Sequence, residues 1–401
     1  MTQRFARRRQ FSELEVSAFG QDESGRIEET ILRFAPGVLE NAPSQVRSLA
    51  ENLARARACL RKTDLSRQPW KARRSFLFRH LKRTRHPKGG CMYPDCENAS
   101  IRRSHAISRA GPLSIIAEAG HVVRPAIHAR TGNVQIQRIG LRQASTFPGF
   151  CRIHELEFGR FENTKACETE DAWILQLFRT ACWELRTVTD GIGTLKRMRA
   201  AYNSRVDESL KGLLRLDGLR ARSRNLDDQQ RLLTESIARL AKLRARFARE
   251  IFAPLKRDLI DGGCRMRGLT LVIDIVLPLC LAGSGAFTWL TLGNGRKRNV
   301  LALLQVLPTV TGTRIGMLAP AATYDCIAGY FMQSVNHTGG LATMLQTWMT
   351  HGTEQWFLKP SVWSTLPQAT RSAIEGALGP PYDLAEVCDH GLFADILSGR
   401  F

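Results

Sequence analysis

Four residues of the chain have the types and the local spacing of a metal site. Two of them bound the stretch Cys91-Met-Tyr-Pro-Asp-Cys96, and the other two, Cys151 and His154, are three positions apart at a predicted helix start. Thiolates and an imidazole at such spacings are the ligands that zinc takes in tetrahedral structural sites. We predict that Cys91, Cys96, Cys151 and His154 bind one structural zinc ion. The alternative is four unconnected residues, since free cysteine is often a small buried apolar side chain.

Each ligand pair lies in a local element that is too short to fold alone. Pro94 and Asp95 favour a tight turn in the first pair, and a separation of three residues places the second pair on one side of a helical turn. Between the pairs, the β-like segments 121–128 and 134–140 flank the turn residues Thr131-Gly132-Asn133, which predicts a hairpin. A zinc ion that joins the two pairs would contribute on the order of 10 kcal/mol to local folding.

A tight turn with the first ligand pair (the knuckle), a hairpin and a helix start with the second ligand pair follow one another along the chain. This is the order of a treble clef. In this region the sequence resembles the zinc-bearing form of the HNH, or His-Me finger, endonuclease superfamily. It is also similar to an uncharacterised group of bacterial proteins marked by C-x4-C, Ser-His-x-Ile and Phe-Cys-x-x-His-Glu or Asp. The matching segments here are 91–96, 104–107 and 150–155, and the clear resemblance spans about a sixth of the chain.

The resemblance implies catalytic roles for two residues. His105 stands where the superfamily keeps the histidine that activates water for attack on a phosphodiester. Glu155 stands where a ligand of the catalytic divalent ion, magnesium or manganese, is expected. The middle asparagine of the HNH pattern is absent just before the second ligand pair, where Gln143, Ser145 or Thr146 would have to replace it. The alternative for His105 is a structural role.

The charge of the chain favours a polyanionic partner. Its 401 residues are 43% hydrophobic and 24% charged, as in ordinary globular proteins, but the formal net charge is +21. A basic run interleaved with Phe76, Phe78 and Leu81 covers residues 71–88 and leads into the first ligand pair. We predict that it binds the phosphate backbone of nucleic acid, DNA rather than RNA. The residues expected to do so are Arg73, Arg74, Arg79, Lys82, Arg83 and Arg85.

The hydrophobic pattern predicts an α+β protein in four parts. These are a basic helical segment at 1–88, the treble-clef zinc module at 89–165, a long helical arm at 166–260 and a mixed β/α domain at 264–401. Apolar residues three and four positions apart follow the arm, and this stripe is expected to pack within the chain or to form a homodimer.

The last part is expected to contain four strands covered by helices, with a turn at Ala282-Gly-Ser-Gly285. Residues 275–293 are apolar, uncharged and long enough to span a membrane. We favour two strands around that turn over a spanning helix, because the segment contains Pro278, Gly283 and Gly285 and has Asp274 at its edge, and we expect no membrane contact. Ten cysteines with four at metal spacing, and no apolar segment after the basic start, favour the cytoplasm.

Two functions from different classes remain open. The first is a metal-dependent nuclease of HNH type which, by analogy, would act in bacterial defence against phage or mobile DNA. The second is a non-enzymatic zinc-stabilised protein for nucleic-acid binding or assembly. The C-terminal part contains no P-loop, G-x-S-x-G or H-E-x-x-H motif, so it adds no recognised chemistry.

Overall fold

The computed structural model describes most of the chain after residue 88. The described residues are 89–127, 134–162, 169–214, 224–291, 297–378, 384 and 391–393. The chain divides into two compact units, Met1–Asp64 with Tyr202–Ser223 and Leu65–Ala201 with Arg224–Phe401. The described residues belong to the second unit, apart from helical residues 202–214. The predicted basic segment 1–88 lies outside the described residues.

Helices and antiparallel strands make up the described part, which confirms the α+β class. The strands are β1 (Ser104–His105), β2 (His121–Ile127), β3 (Val134–Gly140), β4 (Thr146–Phe147), β5 (Met266–Ile273), β6 (Leu279–Thr291), β7 (Lys297–Pro308), β8 (Thr313–Pro320) and β9 (Trp356–Leu358). The helices are α1 (Arg152–Glu155), α2 (Gly159–Glu162), α3 (Glu170–Leu214), α4 (Arg224–Phe247), α5 (Ala253–Asp261), α6 (Tyr324–Asn336), α7 (Gly340–Thr347), α8 (Pro360–Thr365) and α9 (Gln368–Ala377). Shorter helical turns are Arg109–Leu113, Leu156–Phe158, Ala248–Phe252, Ala321–Thr323 and Trp348–Gly352.

Seven strands form one sheet in the order β3-β2-β9-β6-β7-β8-β5, and all neighbours are antiparallel. Strands β1 and β4 form a separate two-stranded sheet. The hairpin predicted from the segments before and after residues 131–133 is confirmed by β2 and β3, in which His121 lies opposite Gly140. The turn residues themselves lie outside the described part.

The hairpin and the C-terminal strands, which we predicted to lie in separate domains, share this sheet. Strand β9 joins them, because Leu358 lies opposite Val123 of β2 on one side and Leu279 of β6 on the other. The pairing satisfies backbone groups that would otherwise form an exposed strand edge. Next to it, the Gln355 amide donates a hydrogen bond to Ser145 Oγ at 2.8 Å. Residues distant in sequence therefore build one sheet.

The sheet is covered on both faces, as the side-chain alternation of β7 shows. One set of its side chains packs with α6, α7 and α9, and comprises Val300, Ala302, Leu304 and Val306. The alternate set packs with α3 and with the segment that carries the predicted metal ligands, and comprises Leu301, Leu303 and Leu307. Two apolar cores on opposite faces make β7 apolar over residues 300–307 apart from the buried Gln305, which is typical of a strand buried on both sides.

The turn predicted at Ala282-Gly-Ser-Gly285 was wrong, because β6 continues through it. The two glycines serve close packing. A Cβ atom at Gly283 would clash with the Thr353 side chain, and one at Gly285 would clash with the side chains of Leu384 and Trp348. In a sequence, glycine can indicate either a turn or a strand position where another segment packs closely against the backbone. The two cases can be distinguished only when the neighbouring segment is known.

The apolar segment 275–293 is therefore mostly the strand β6. Within the part of the chain that the structure describes, none of the helices has the length and apolarity that a bilayer crossing requires.

The helical arm consists of α3 and α4, which have 45 and 24 residues. Their apolar stripes meet within the chain, where Ile192 and Leu195 of α3 cluster with Leu233 and Ile237 of α4. The apolar stripe therefore packs within the chain, as one of the two alternatives predicted. Homodimerisation stays a prediction. Helix α5 ends at Gly262, whose φ of 65° lies in the left-handed region that glycine adopts readily, at the predicted boundary.

Candidate metal centre

The first ligand pair lies in a knuckle closed by backbone hydrogen bonds. The Cys91 N–H donates to the carbonyl of Asn98 at 2.7 Å, and Gly90 forms a bridge with Ala99. Asp95 takes a φ of 57°, which its short polar side chain tolerates better than most residues do. The chain therefore reverses between Cys91 and Cys96 and brings both thiols to one place.

The second pair lies at the start of α1. Cys151 is the N-cap residue, and its thiol accepts a hydrogen bond from the His154 N–H at 3.5 Å. The backbone joins the two pairs, because the N–H of Met92 donates to the carbonyl of Gly149 at 2.9 Å. The Cys151 N–H also donates to Cys91 Sγ at 3.2 Å. Residues about 60 positions apart thus face each other through main-chain contacts.

The four donor atoms all lie within 4.8 Å of one another. Cys91 Sγ lies 3.5 Å and Cys151 Sγ lies 3.4 Å from His154 Nδ1, and Cys96 Sγ lies 3.8 Å from Cys151 Sγ. Tyr93 stacks on the imidazole at 4.1 Å with an interplanar angle of 8°, which fixes the ring. The cluster could hold a metal ion, and no other group of three or more such donors gathers within the described ranges.

The thiols of the cluster differ in acidity. Burial raises the pKa of Cys91 to about 11. Burial also acts to raise the pKa of Cys151, but hydrogen bonds from the His154 N–H and from the neighbouring thiols outweigh it, so that pKa is lowered. Three sulfur atoms this close cannot all carry negative charge without a cation, and a bound metal ion would supply it.

His105 lies on β1, where it pairs with Thr146 of β4. Burial, followed by the positive charge of Arg179, lowers its pKa to about 4, so the imidazole is neutral near pH 7. Its Nε2 atom is buried and has no hydrogen-bond partner among the described residues. Ser104, the residue before His105, is held by a hydrogen bond, because the Phe150 N–H donates to its Oγ at 3.0 Å.

Glu155 is held by Arg179, a residue that sequence reasoning missed. The Arg179 side chain has no exposure and pairs with Glu155 Oε1 at 2.6 Å and with Glu162 Oε1 at 2.7 Å. Its guanidinium also lies 4.4 Å from the centre of the Phe158 ring. Burial raises the pKa of Glu155 against the lowering effect of Arg179. His105 and Glu155 thus border one buried cation.

The sequence contains only a faint signal for Arg179. Residues 175–182 of α3 are all buried, so the helix is enclosed on every side there. A lone arginine in such a turn requires a carboxylate partner, but the sequence does not reveal which of the acidic residues supplies it. The neighbouring Gln176 side chain donates to the carbonyl of Ala106 at 2.6 Å and fixes the strand of His105 against α3.

Two of the three candidate replacements for the HNH asparagine, Ser145 and Thr146, have structural partners for their side chains. Ser145 Oγ accepts hydrogen bonds from the Ile107 N–H and from the Gln355 amide, each at 2.8 Å. Thr146 Oγ1 donates to the carbonyl of Gln143 at 3.1 Å. These bonds place Ser145 and Thr146 in the framework of the β1–β4 pair. Both hydroxyls therefore already serve the local structure.

An open depression of about 560 Å³ lies beside Glu155. It is lined by Ile101, Arg102, Arg103, Arg152, Glu155 and Leu156. All three arginines are exposed. The six residues predicted to bind phosphate in the segment 71–88 lie outside the described residues, so this depression is the basic surface that the structure presents next to the cluster.

Comparison with known proteins yields no match to a protein-family model, to a curated protein or to a solved structure.

Proposed function

We propose that the Cys/His cluster binds zinc as a structural ion in a treble clef. A tetrahedral site with Zn–S near 2.3 Å and Zn–N near 2.05 Å has S–S edges of about 3.8 Å and S–N edges of about 3.6 Å. The observed separations of 3.8, 3.5 and 3.4 Å fit those edges. Three thiolates and one imidazole also suit zinc better than a hard cation. The ion would join the knuckle to α1 and fix the surface between them.

We infer that this zinc-stabilised surface binds nucleic acid, preferentially DNA. The observation that carries the proposal is the depression lined by Arg102, Arg103 and Arg152. Arginine presents several N–H donors in a planar fork that matches phosphate oxygens. The net charge of +21 adds attraction that does not depend on sequence.

Salt-dependent binding tests this proposal. Fluorescence anisotropy with labelled DNA should give a steep fall of log affinity against log salt. In the variant Arg102→Gln/Arg103→Gln, the slope should decrease by about 0.9 for each phosphate group that the protein no longer neutralises. The matched control is Arg231→Gln, since the Arg231 side chain is 67% exposed on α4, outside the depression. An unchanged slope in the double variant, or an equal change in the control, would refute the assignment.

A second candidate function is phosphodiester hydrolysis with His105 as general base. It is supported by the Nε2 atom of His105, which lacks a partner among the described residues, and by the resemblance to HNH enzymes. A pKa of about 4 leaves the imidazole neutral near pH 7 but makes it a weaker base than an ordinary histidine, so this candidate has less support than DNA binding. A role of this activity against phage or mobile DNA is suggested by the resemblance alone.

The residues do not fit a preformed magnesium site. Arg179 already pairs with both Glu155 and Glu162, and among the described residues no cluster of three donors other than the Cys/His group exists. We therefore assign no step to a divalent ion. Cleavage assays should be run with and without magnesium or manganese.

The variant His105→Ala separates the two candidates. If His105 is a general base, the cleavage rate should fall by roughly a hundredfold or more, with DNA affinity and zinc content unchanged. If wild type and variant cleave equally well, His105 is structural. If wild-type protein binds DNA and cleaves it under no condition, only the binding function stands.

A further inference from the structure

Two large apolar side chains are exposed on the surface that carries the zinc ligands. Ile153 is 63% exposed and Leu156 is 74% exposed, whereas Phe150 and Phe158 on the same stretch are fully buried. Ile153 and Leu156 are three positions apart in a helical turn, so they project from the same side. They form a small apolar ridge in a segment that otherwise buries its apolar residues.

Three arginines lie beside Leu156, one of the two residues of this ridge. Leu156 lines the depression together with Arg102, Arg103 and Arg152, and Arg152 lies one helical turn before it. The ridge is also held rigidly, because Ile153 directly precedes the ligand His154 and follows Cys151 by two residues. The three arginines are complementary to a polyanion. The apolar ridge beside them is complementary to a polyanion that also has an apolar interior.

We propose that Ile153 and Leu156 insert at a base step of duplex DNA while the three arginines hold the adjacent phosphates. The proposal rests on the proposed binding function and specifies its substrate as a duplex that is locally unstacked. Apolar wedges next to arginines are a known way to partially open and kink a base step, and the phosphate contacts offset the cost of unstacking. Pyrimidine–purine steps such as TpA open most easily, so they are the expected targets.

The test uses the full-length, zinc-loaded protein and short DNA with 2-aminopurine at TpA steps. Binding to the duplex should raise 2-aminopurine fluorescence. The variant Ile153→Ser/Leu156→Ser should lose this rise and bind the duplex about tenfold more weakly, since it no longer buries apolar surface between bases. Its affinity for the single strand and its salt slope should equal those of wild type, because the phosphate contacts remain.

Two further variants protect the test against trivial explanations. Leu156→Phe keeps an apolar side chain at an exposed position and should retain the fluorescence rise. Val310→Ser changes a side chain that is 80% exposed in the turn between β7 and β8, and should behave as wild type. Zinc content and thermal unfolding of each variant show whether the module remains folded.

The outcomes separate this proposal from the one it rests on. Absence of DNA binding by the wild type would overturn both. Salt-dependent binding without a fluorescence rise, or equal binding by wild type and Ile153→Ser/Leu156→Ser, would overturn the insertion and leave phosphate binding intact. A wild-type dimer that Leu156→Ser converts to a monomer in sedimentation velocity would assign the ridge to self-association and also overturn the insertion.

Discussion

Replacing Arg179 by methionine removes a fully buried guanidinium and leaves two carboxylates without their cation. Arg179 pairs with Glu155 at 2.6 Å and with Glu162 at 2.7 Å, and the two carboxylate side chains are 21% and 26% exposed. Breaking a buried pair from one side typically costs about 3–5 kcal/mol. Because both carboxylates retain some solvent, we expect the low end, about 3 kcal/mol.

The compensating variants make this prediction sharper. Arg179→Lys restores the charge but not the two-pronged contact, so its unfolding free energy should lie between wild type and Arg179→Met. Adding Glu155→Gln and Glu162→Gln to Arg179→Met removes the stranded charges, and the triple variant should recover to within about 1 kcal/mol of wild type. Urea unfolding followed by circular dichroism measures each difference.

The same substitution should change the titration of His105. Burial is the main cause of its pKa of about 4 and the charge of Arg179 is the second. In Arg179→Met the pKa should therefore rise, while remaining below the ordinary histidine value because burial persists. Imidazole NMR signals followed over pH report this value. If Arg179→Met unfolds within about 0.5 kcal/mol of wild type and the His105 titration does not move, the buried ion-pair reasoning is wrong.

Three other predictions concern metal, pH and packing. Purified protein should carry about one zinc ion per chain by metal analysis, and Cys151→Ser should lose it and a large part of its thermal stability; a zinc-free protein with unchanged stability would contradict the metal site. Burial raises the pKa of Glu184 to about 7. The protonated side chain therefore contributes to stability at low pH, and the free energy of unfolding should fall by up to about 3 kcal/mol as the pH rises to 7. Glu184→Gln should lack this loss and be the more stable protein at pH 8, and equal pH profiles in urea unfolding would refute the assignment. Gly283→Ala should destabilise by about 1–3 kcal/mol because the added Cβ meets Thr353, whereas Gly329→Ala, with open space in α6, should not destabilise the protein.

Local signals in the sequence identified the four residues of the Cys/His cluster and several of the helices and strands. The spacings 91–96 and 151–154 identified all four residues that cluster in the fold. Alternation around residues 121–140 indicated the β2–β3 hairpin, and apolar spacing in the predicted arm at 166–260 indicated α3 and α4. Such signals succeed because turns, helical faces and strand alternation depend on residues only a few positions apart.

Only the tertiary structure decided which distant residues share an environment. It joined the hairpin to the C-terminal sheet through β9, and it made Gly283 a site of close packing instead of a turn. It also placed Arg179 between Glu155 and Glu162, which determines the environment of the predicted catalytic residues. A buried charge needs a partner, but Coulombic attraction acts over distance in space and leaves no regular spacing in the chain. For that reason the Cys/His cluster could be recognised in the sequence, whereas the pairing of Arg179 with Glu155 and Glu162 could not.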